Sequence, residues 1–251
     1  MSYSLEFQSL LQHPLSKSHY IGLGNPNAKI LIVGKECAYD VTEKGCKNEF
    51  YENEILKNFD KWQELDSSRS LEDVHNWVEN DKLDWDIFDP LAPYKGQYFT
   101  FGKSKGATSR TWYNYQKLVN IIRDLGKSDI SKNISSIDFY KDCFITELNE
   151  LCRRNNKKVP AEEKRATESS IRNRFDWMMA TSSFWSHFKT VILACGPYAD
   201  ALRNDLNLTH CIFGNANVIS TVSIGDGKTR KIPQLSNRIS DDLLAKIAKQ
   251  V

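Results

Sequence analysis

The chain has 251 residues, 40% of them apolar, and its six Trp, ten Tyr and twelve Phe supply enough large side chains to bury a substantial core, which excludes a disordered chain. Its 34 basic and 32 acidic residues leave a formal charge of +2, too little for net charge alone to drive tight binding to a phosphate backbone. No apolar run approaches the length of a bilayer crossing, and Met1-Ser2-Tyr3-Ser4-Leu5-Glu6 lacks the basic and then apolar order of a signal peptide, so a cytoplasmic protein without membrane contact is expected.

Doubly wound α/β sheets commonly reach this size around one core, and no linker-like stretch divides the sequence, so residues 1–251 are expected to form a single domain. The six cysteines (Cys37, Cys46, Cys143, Cys152, Cys195 and Cys211) contain no C-x-x-C pair, and four lie in or beside apolar runs, where Cys acts as a small hydrophobe. Neither a disulfide framework nor a metal site is favoured, and no cofactor is expected.

The first clear strand is the β-branched run at 29–33, closed by Gly34, which reads as a central parallel strand buried on both faces. Residues at about 41–95 form a polar, aromatic-bearing and largely helical insertion, in which Ser70 stands as an N-cap before Leu71-Glu72-Asp73. Trp112, Tyr115, Leu118 or Val119, Ile122 and Leu125 recur at helical spacing and Gly126 follows, predicting a helix over 111–125. A strand is predicted over 142–146, and the stripe of Ile171, Phe175, Met178, Met179 and Trp185 predicts one long helix or two over 161–188, with core packing as its role.

The run 190–194 is a second buried strand, and Cys195-Gly196-Pro197 places Pro at the first position of a helix reaching about Arg203. Alternation over 218–224, then Gly225-Asp226-Gly227, predicts a hairpin into 229–232, and Ser240 caps a last helix over 241–247 whose first turn carries two acids. This alternation implies an α/β protein: a three-layer α/β/α sandwich around a mostly parallel sheet, with ligands bound beyond the carboxyl ends of its strands. The loops to inspect are therefore 34–40, 146–154, 196–200 and 231–236.

Taken in order, these loops resemble the motifs of the uracil-DNA glycosylase superfamily. Gly34-Lys35-Glu36-Cys37-Ala38-Tyr39 resembles its water-activating G-Q-D-P-Y-H loop, and Gly96-Gln97-Tyr98-Phe99-Thr100-Phe101 is similar to G-L-C-F-S-V, whose Phe stacks on the flipped base. Ser109-Arg110-Thr111-Trp112-Tyr113-Asn114 resembles the following P-S-L-R-N-I segment. Phe144-Ile145-Thr146-Glu147-Leu148 falls where the family has a strand ending in a base-reading Asn, and Cys152-Arg153-Arg154-Asn155-Asn156, leading to Pro160-Ala161-Glu162-Glu163, looks like the K-C-R-P-P-N-N stretch of the iron-sulfur branch. Ile192-Leu193-Ala194-Cys195-Gly196-Pro197-Tyr198-Ala199 is similar to L-L-W-G-x-x-A, and Lys231-Ile232-Pro233-Gln234-Leu235-Ser236 sits where H-P-S-P-L-S is expected.

The resemblance implies hydrolysis of the C1′–N bond of a base turned out of DNA, which needs a carboxylate near C1′ to orient water and steady positive charge. Glu36 takes the place of that acid, with Asp40 in reserve. Lys231 stands where the family's His meets the negative charge of the departing base, and Arg230 or Gln234 are alternatives there. Phe99 is the stacking platform, or Phe101 or Tyr98 if the register shifts by one. Thr146 replaces the Asn that reads the base edge, and its single hydroxyl cannot present the donor and acceptor of an amide, with Asn149 nearby to compensate.

Gly34, Gly196 and Ser236 complete the implied pocket, and Arg110, Arg153, Arg154 and Arg230 are the implied contacts to DNA, single-stranded or base-flipped. No cysteine precedes Cys37, so the four thiolates of an iron-sulfur cluster are not expected. The two substituted positions, Thr146 and Lys231, leave open a catalytically inactive relative that binds nucleic acid or nucleotide. An unrelated α/β hydrolase or nucleotide-binding enzyme is the third reading. The sequence carries no G-x-x-x-x-G-K-[ST] or G-x-G-x-x-G signature for it.

Overall fold

The computed structural model describes residues 3–36, 38–39, 55–65, 89–91, 110–125, 134, 137–151, 153–154, 161–224, 235 and 239–251, with 38–39 and 153–154 described in their backbone alone. Most of the insertion expected at 41–95, Ser70 included, lies outside these residues.

The central strand is β2 (Ile30–Gly34), every residue of which is buried. Ile-Leu-Ile-Val has no polar side to turn toward water, so the strand is stable only with neighbours on both edges and cover on both faces. Parallel partners flank it: β4 (Cys143–Glu147), paired from Ile30↔Cys143 to Gly34↔Glu147, and β6 (Thr190–Leu193), paired from Ile30↔Thr190 to Val33↔Leu193. β7 (Asn217–Ser220) extends the sheet in parallel beyond β6, and β1 (Leu23–Gly24) closes the far edge of β4 in antiparallel, giving the order β1-β4-β2-β6-β7. Gly24 sits at φ 91, and a Cβ there would lie 2.5 Å from the Cys143 carbonyl oxygen, so the close edge approach of β1 requires glycine.

Alternation along β4 divides the helices between two faces. Phe144 packs its ring against Phe7 of α1 (Leu5–Gln12), Trp62 of α2 (Asn58–Glu64) and Phe184 of α5 (Ser182–Trp185), at centroid distances of 6.0, 6.1 and 5.4 Å. Cys143 and Glu147, pointing the other way, lie close to Tyr115 of α3 (Arg110–Arg123), which packs against α8 (Asp241–Ala248). The molecule is therefore mixed α/β, with a mostly parallel five-stranded sheet and helices on both faces. No helix among the described residues is long and apolar enough to cross a membrane.

Several predicted boundaries change. The long helical stretch divides into α4 (Ala161–Ala180) and α5. At the break Thr181 Oγ1 donates to the Trp177 carbonyl at 2.8 Å and accepts from Trp185 Nε1 at 2.9 Å, so one hydroxyl satisfies groups on both sides. Pro197 lies within a 3-10 turn, Gly196–Tyr198, and the α-helix α6 (Ala199–Asn204) starts after it. The strand expected at 218–224 is β7, which ends at Ser220 and pairs in parallel with β6. Thr221 turns the chain and donates both its amide and its hydroxyl to the Leu193 carbonyl, each at 3.2 Å. The predicted second arm of a hairpin, 229–232, lies outside the described residues.

Several elements were not foreseen, α1, α7 (Leu206–Phe213) and β1 among them. α1 is capped by the Ser4 hydroxyl, which accepts from the Phe7 amide at 3.2 Å. α7 is capped by Asp205 through the Leu208 amide at 2.9 Å. β1 is too short to show any periodicity.

Candidate functional site

The four parallel strands lie in the order second, first, third, fourth (β4-β2-β6-β7), so the chain winds one way from β2 to β4 and the other way from β6 onward. At such a reversal the loops leaving neighbouring strands run to opposite sides of the sheet, and the crevice expected between them at the carboxyl ends, here between β2 and β6, is where open α/β sheets bind ligands. The backbone ladder runs on past the strands: Leu148 donates to the Gly34 carbonyl at 3.0 Å, Asn149 to that of Lys35 at 2.9 Å, and Ala194 to that of Val33 at 2.8 Å. Lys35 and Glu36 are thereby fixed at the crevice although they follow the last strand residue.

Lys35 Nζ lies 2.6 Å from Glu36 Oε1, and their side chains keep only 13% and 5% of their accessible surface. The same ammonium stands 4.9 Å from the ring centroid of Tyr198, so a cation from the β2 loop rests on an aromatic face from the β6 loop. Asn149, buried beyond β4, directs its amide nitrogen to Glu36 Oε2 at 3.5 Å, while its amide oxygen accepts from the Leu151 amide at 3.1 Å. Gly196 adopts φ 60 at the turn that presents Tyr198, a conformation glycine takes without strain.

Gly34 leaves room for a neighbouring side chain. A Cβ there would lie 2.3 Å from the Glu147 carboxylate, so glycine lets this acid fold back over the end of β2. The Tyr115 phenol is pushed well above its usual value by burial and then by the Glu147 charge. Burial likewise raises the Cys195 thiol, with Glu147 adding to the effect, which leaves it a packing group and not a nucleophile.

Of the residues singled out in the sequence, Gly34, Glu36, Asn149 and Gly196 meet at this crevice. Thr146 does not face it. Its hydroxyl donates to the Ile21 carbonyl at 3.0 Å and accepts from Arg174 Nη2 at 2.5 Å on the Phe144 side of the sheet, so its one proton is already used inside the core. Arg153 and Arg154 form β5, whose backbone pairs in parallel with β3 (Ala38–Tyr39), register Ala38↔Arg153 and Tyr39↔Arg154. The basic pair thus runs beside the segment that follows Glu36.

Arg110 is the exposed first residue of α3. Leu235 is buried and its carbonyl accepts from Asn114 Nδ2 at 2.9 Å, which ties that loop to the first half of α3. Asp40, Phe99, Arg230, Lys231, Gln234 and Ser236 lie outside the described residues.

Sequence reasoning passed over Lys35, Tyr198, Glu147 and Arg174. Arg174 falls between Ile171 and Trp177 in the apolar row of α4, and a charge in such a row signals a buried ion pair. Fully buried, it holds Glu150 Oε1 at 2.8 Å and lies 4.3 Å from the Trp177 ring. His19 Nδ1 and the Tyr20 amide reach the same carboxylate at 2.8 and 2.6 Å.

At the opposite, amino end of the sheet an open cleft of about 300 Å³ is lined by Asn27, Lys29, Val119 and Arg123. There Arg123 is already engaged by Asp138 and Asp142. No group of His, Cys, Asp and Glu among the described residues is suited to hold a metal ion. Comparison of the chain with family models, curated proteins and solved structures gives no match.

Proposed function

We propose that the protein is a divergent member of the uracil-DNA glycosylase-like superfamily, a cytoplasmic enzyme that hydrolyses the N-glycosidic bond of uracil or another damaged base flipped from DNA. The observation that carries this reading is the meeting, at the switch point of the sheet, of the two loops with the clearest motif resemblance. One is Gly34-Lys35-Glu36, the other Gly196-Pro197-Tyr198, joined by the contact of Lys35 with Tyr198.

In this reading Glu36 orients water at C1′ and opposes the positive charge of the sugar. Phe99 supplies the stacking surface, Lys231 approaches from the 231–236 loop, and Asp40 is held in reserve. Asn149, steadying Glu36 through its amide, keeps the carboxylate aimed. The parallel pairing of Arg153 and Arg154 with the segment after Glu36 supports a DNA strand passing over the crevice.

The test is release of free base from a single-stranded or mismatched oligonucleotide carrying uracil or a deaminated purine. Release by the parent protein is expected to fall by about a hundredfold or more in Glu36→Ala and to persist in Asp40→Ala. Equal release from the parent and both variants would reject the assignment.

A second reading, a non-catalytic nucleic-acid or nucleotide-binding relative, is favoured by one observation: the Thr146 hydroxyl is committed to Ile21 and Arg174 and is not offered to a base. Oligonucleotide binding that weakens steeply with salt and yields no product would select it.

A further inference from the structure

We propose that Lys35 is a catalytic residue of this site, its ammonium taking up the negative charge of the departing base while the adjoining Glu36 carboxylate faces the sugar carbon. The inference rests on the glycosylase reading and assigns within it a role that the motif comparison gave to a different loop.

Heterolysis of a C1′–N bond creates an ion pair, positive on the sugar and negative on the base. A site that favours this state over the neutral substrate carries the complementary pair: a carboxylate toward the sugar and a cation toward the base. Lys35 and Glu36 are such a pair, 2.6 Å apart at the switch point and largely withdrawn from water, where charges act more strongly than in bulk solvent. Backbone bonds from Leu148 and Asn149 to the Gly34 and Lys35 carbonyls fix the loop that carries both groups.

The Tyr198 ring supports the ammonium from the far side of the crevice. An ammonium has three donor hydrogens. One meets Glu36, the ring face takes another direction, and the third, which has no acceptor among the described residues, is assigned to an oxygen or nitrogen of the base.

The pair also balances the reaction. The C1′–N bond breaks with its electrons leaving on the base, water oxygen bonds to C1′, and the proton lost by water goes to Glu36. Lys35 gives a proton to the base anion. The proton on Glu36 then crosses the short contact to Lys35, restoring carboxylate and ammonium. One water is consumed, and one free base and one abasic sugar leave.

The experiment is single-turnover base release from matched single-stranded oligonucleotides carrying uracil or 5-fluorouracil, whose electron-withdrawing fluorine makes the base anion easier to form. The parent, Lys35→Gln, Lys35→Arg and Glu36→Gln are compared, with thermal unfolding recorded for each. Lys35→Met, closer in shape, replaces the Gln variant if that does not fold. Loss of the cation is expected to slow uracil release by about a hundredfold or more and 5-fluorouracil release much less. Lys35→Arg retains more activity than Lys35→Gln, and Glu36→Gln slows both bases alike.

A Lys35→Gln or Lys35→Met rate within about threefold of the parent, or an equal slowing of both bases, overturns the role of Lys35 and leaves the glycosylase reading standing. A parent protein that releases neither base overturns both.

Discussion

Two ionic clusters stand near the carboxyl end of the sheet, and they are built on opposite plans. The first gathers groups from three distant segments: His19 and the Tyr20 amide before β1, Glu150 just past β4, and Arg174 in the middle of α4, with Thr146 joined to the same guanidinium. It cross-links the chain. The second is built on two neighbours in sequence, Lys35 and Glu36, both withdrawn from water, which reach Asn149 and Tyr198 through a neutral amide and a ring face and not through a second ion pair among the described residues. Burying charge costs free energy wherever it is done. On the glycosylase reading, the second pair is placed for a ligand.

Breaking the first cluster should therefore injure the fold, and breaking the second should injure function. The largest effect is expected from Arg174→Met, which leaves Glu150 without its guanidinium partner in a mostly enclosed position. Removing one member of a buried pair costs roughly 3–5 kcal/mol, to be read from the midpoint of urea unfolding. A loss under about 1 kcal/mol would show that the cluster does not staple the chain.

A smaller effect sharpens the same contrast through pH. Burial alone would raise the Glu150 carboxyl, but Arg174, His19 and the Tyr20 amide together hold it below its ordinary value of 4.5. A carboxylate held low in the folded state stabilises it above the unfolded value, and that contribution disappears as pH falls through the lowered one. Glu150→Gln is thus expected to be less stable than the parent at neutral pH. The gap between the two closes as the solution is acidified below 4.5. Asp138, also held low by Arg123 against the opposing effect of burial, is common to both proteins and cancels in the difference. A gap that stays constant across the acid range would mean that Glu150 is not the group responsible.

The strands were legible because β2, β4 and β6 are short continuous apolar runs, the pattern that a fully covered parallel strand imposes. The parallel order followed only from coordinates, since Ile30-Leu31-Ile32-Val33 states that both edges are occupied and not by which strands. α1 carried a readable signal in Ser4 ahead of Leu5, Phe7 and Leu10, and α7 carried one in Asp205. Both are eight residues long, too short for their periodicity to stand out.

At the candidate site, motif order pointed to the loops of Glu36 and Asn149, which the structure places beside each other. Lys35 was seen only as a neighbour of Glu36, because nothing in the sequence indicates that Tyr198, more than 160 positions away, comes to rest against its ammonium. Thr146 was placed on the strand it occupies, but the engagement of its hydroxyl by Ile21 and Arg174 was not foreseen. Alternation fixes which residues share a face, but the partner of the Thr146 hydroxyl is Arg174, in a helix that no local pattern links to β4.

The central claim is that the ligand lies over the crevice between β2 and β6, and photocrosslinking tests it most directly. A single-stranded oligonucleotide carrying 5-iodouracil, irradiated in complex with the full chain and mapped by mass spectrometry, should attach to the peptide containing Tyr198 or the one containing residues 34–39. Substituting Tyr198→Leu should remove the first of these. Attachment confined to residues around Asn27 and Arg123, at the amino-end cleft, would contradict the account.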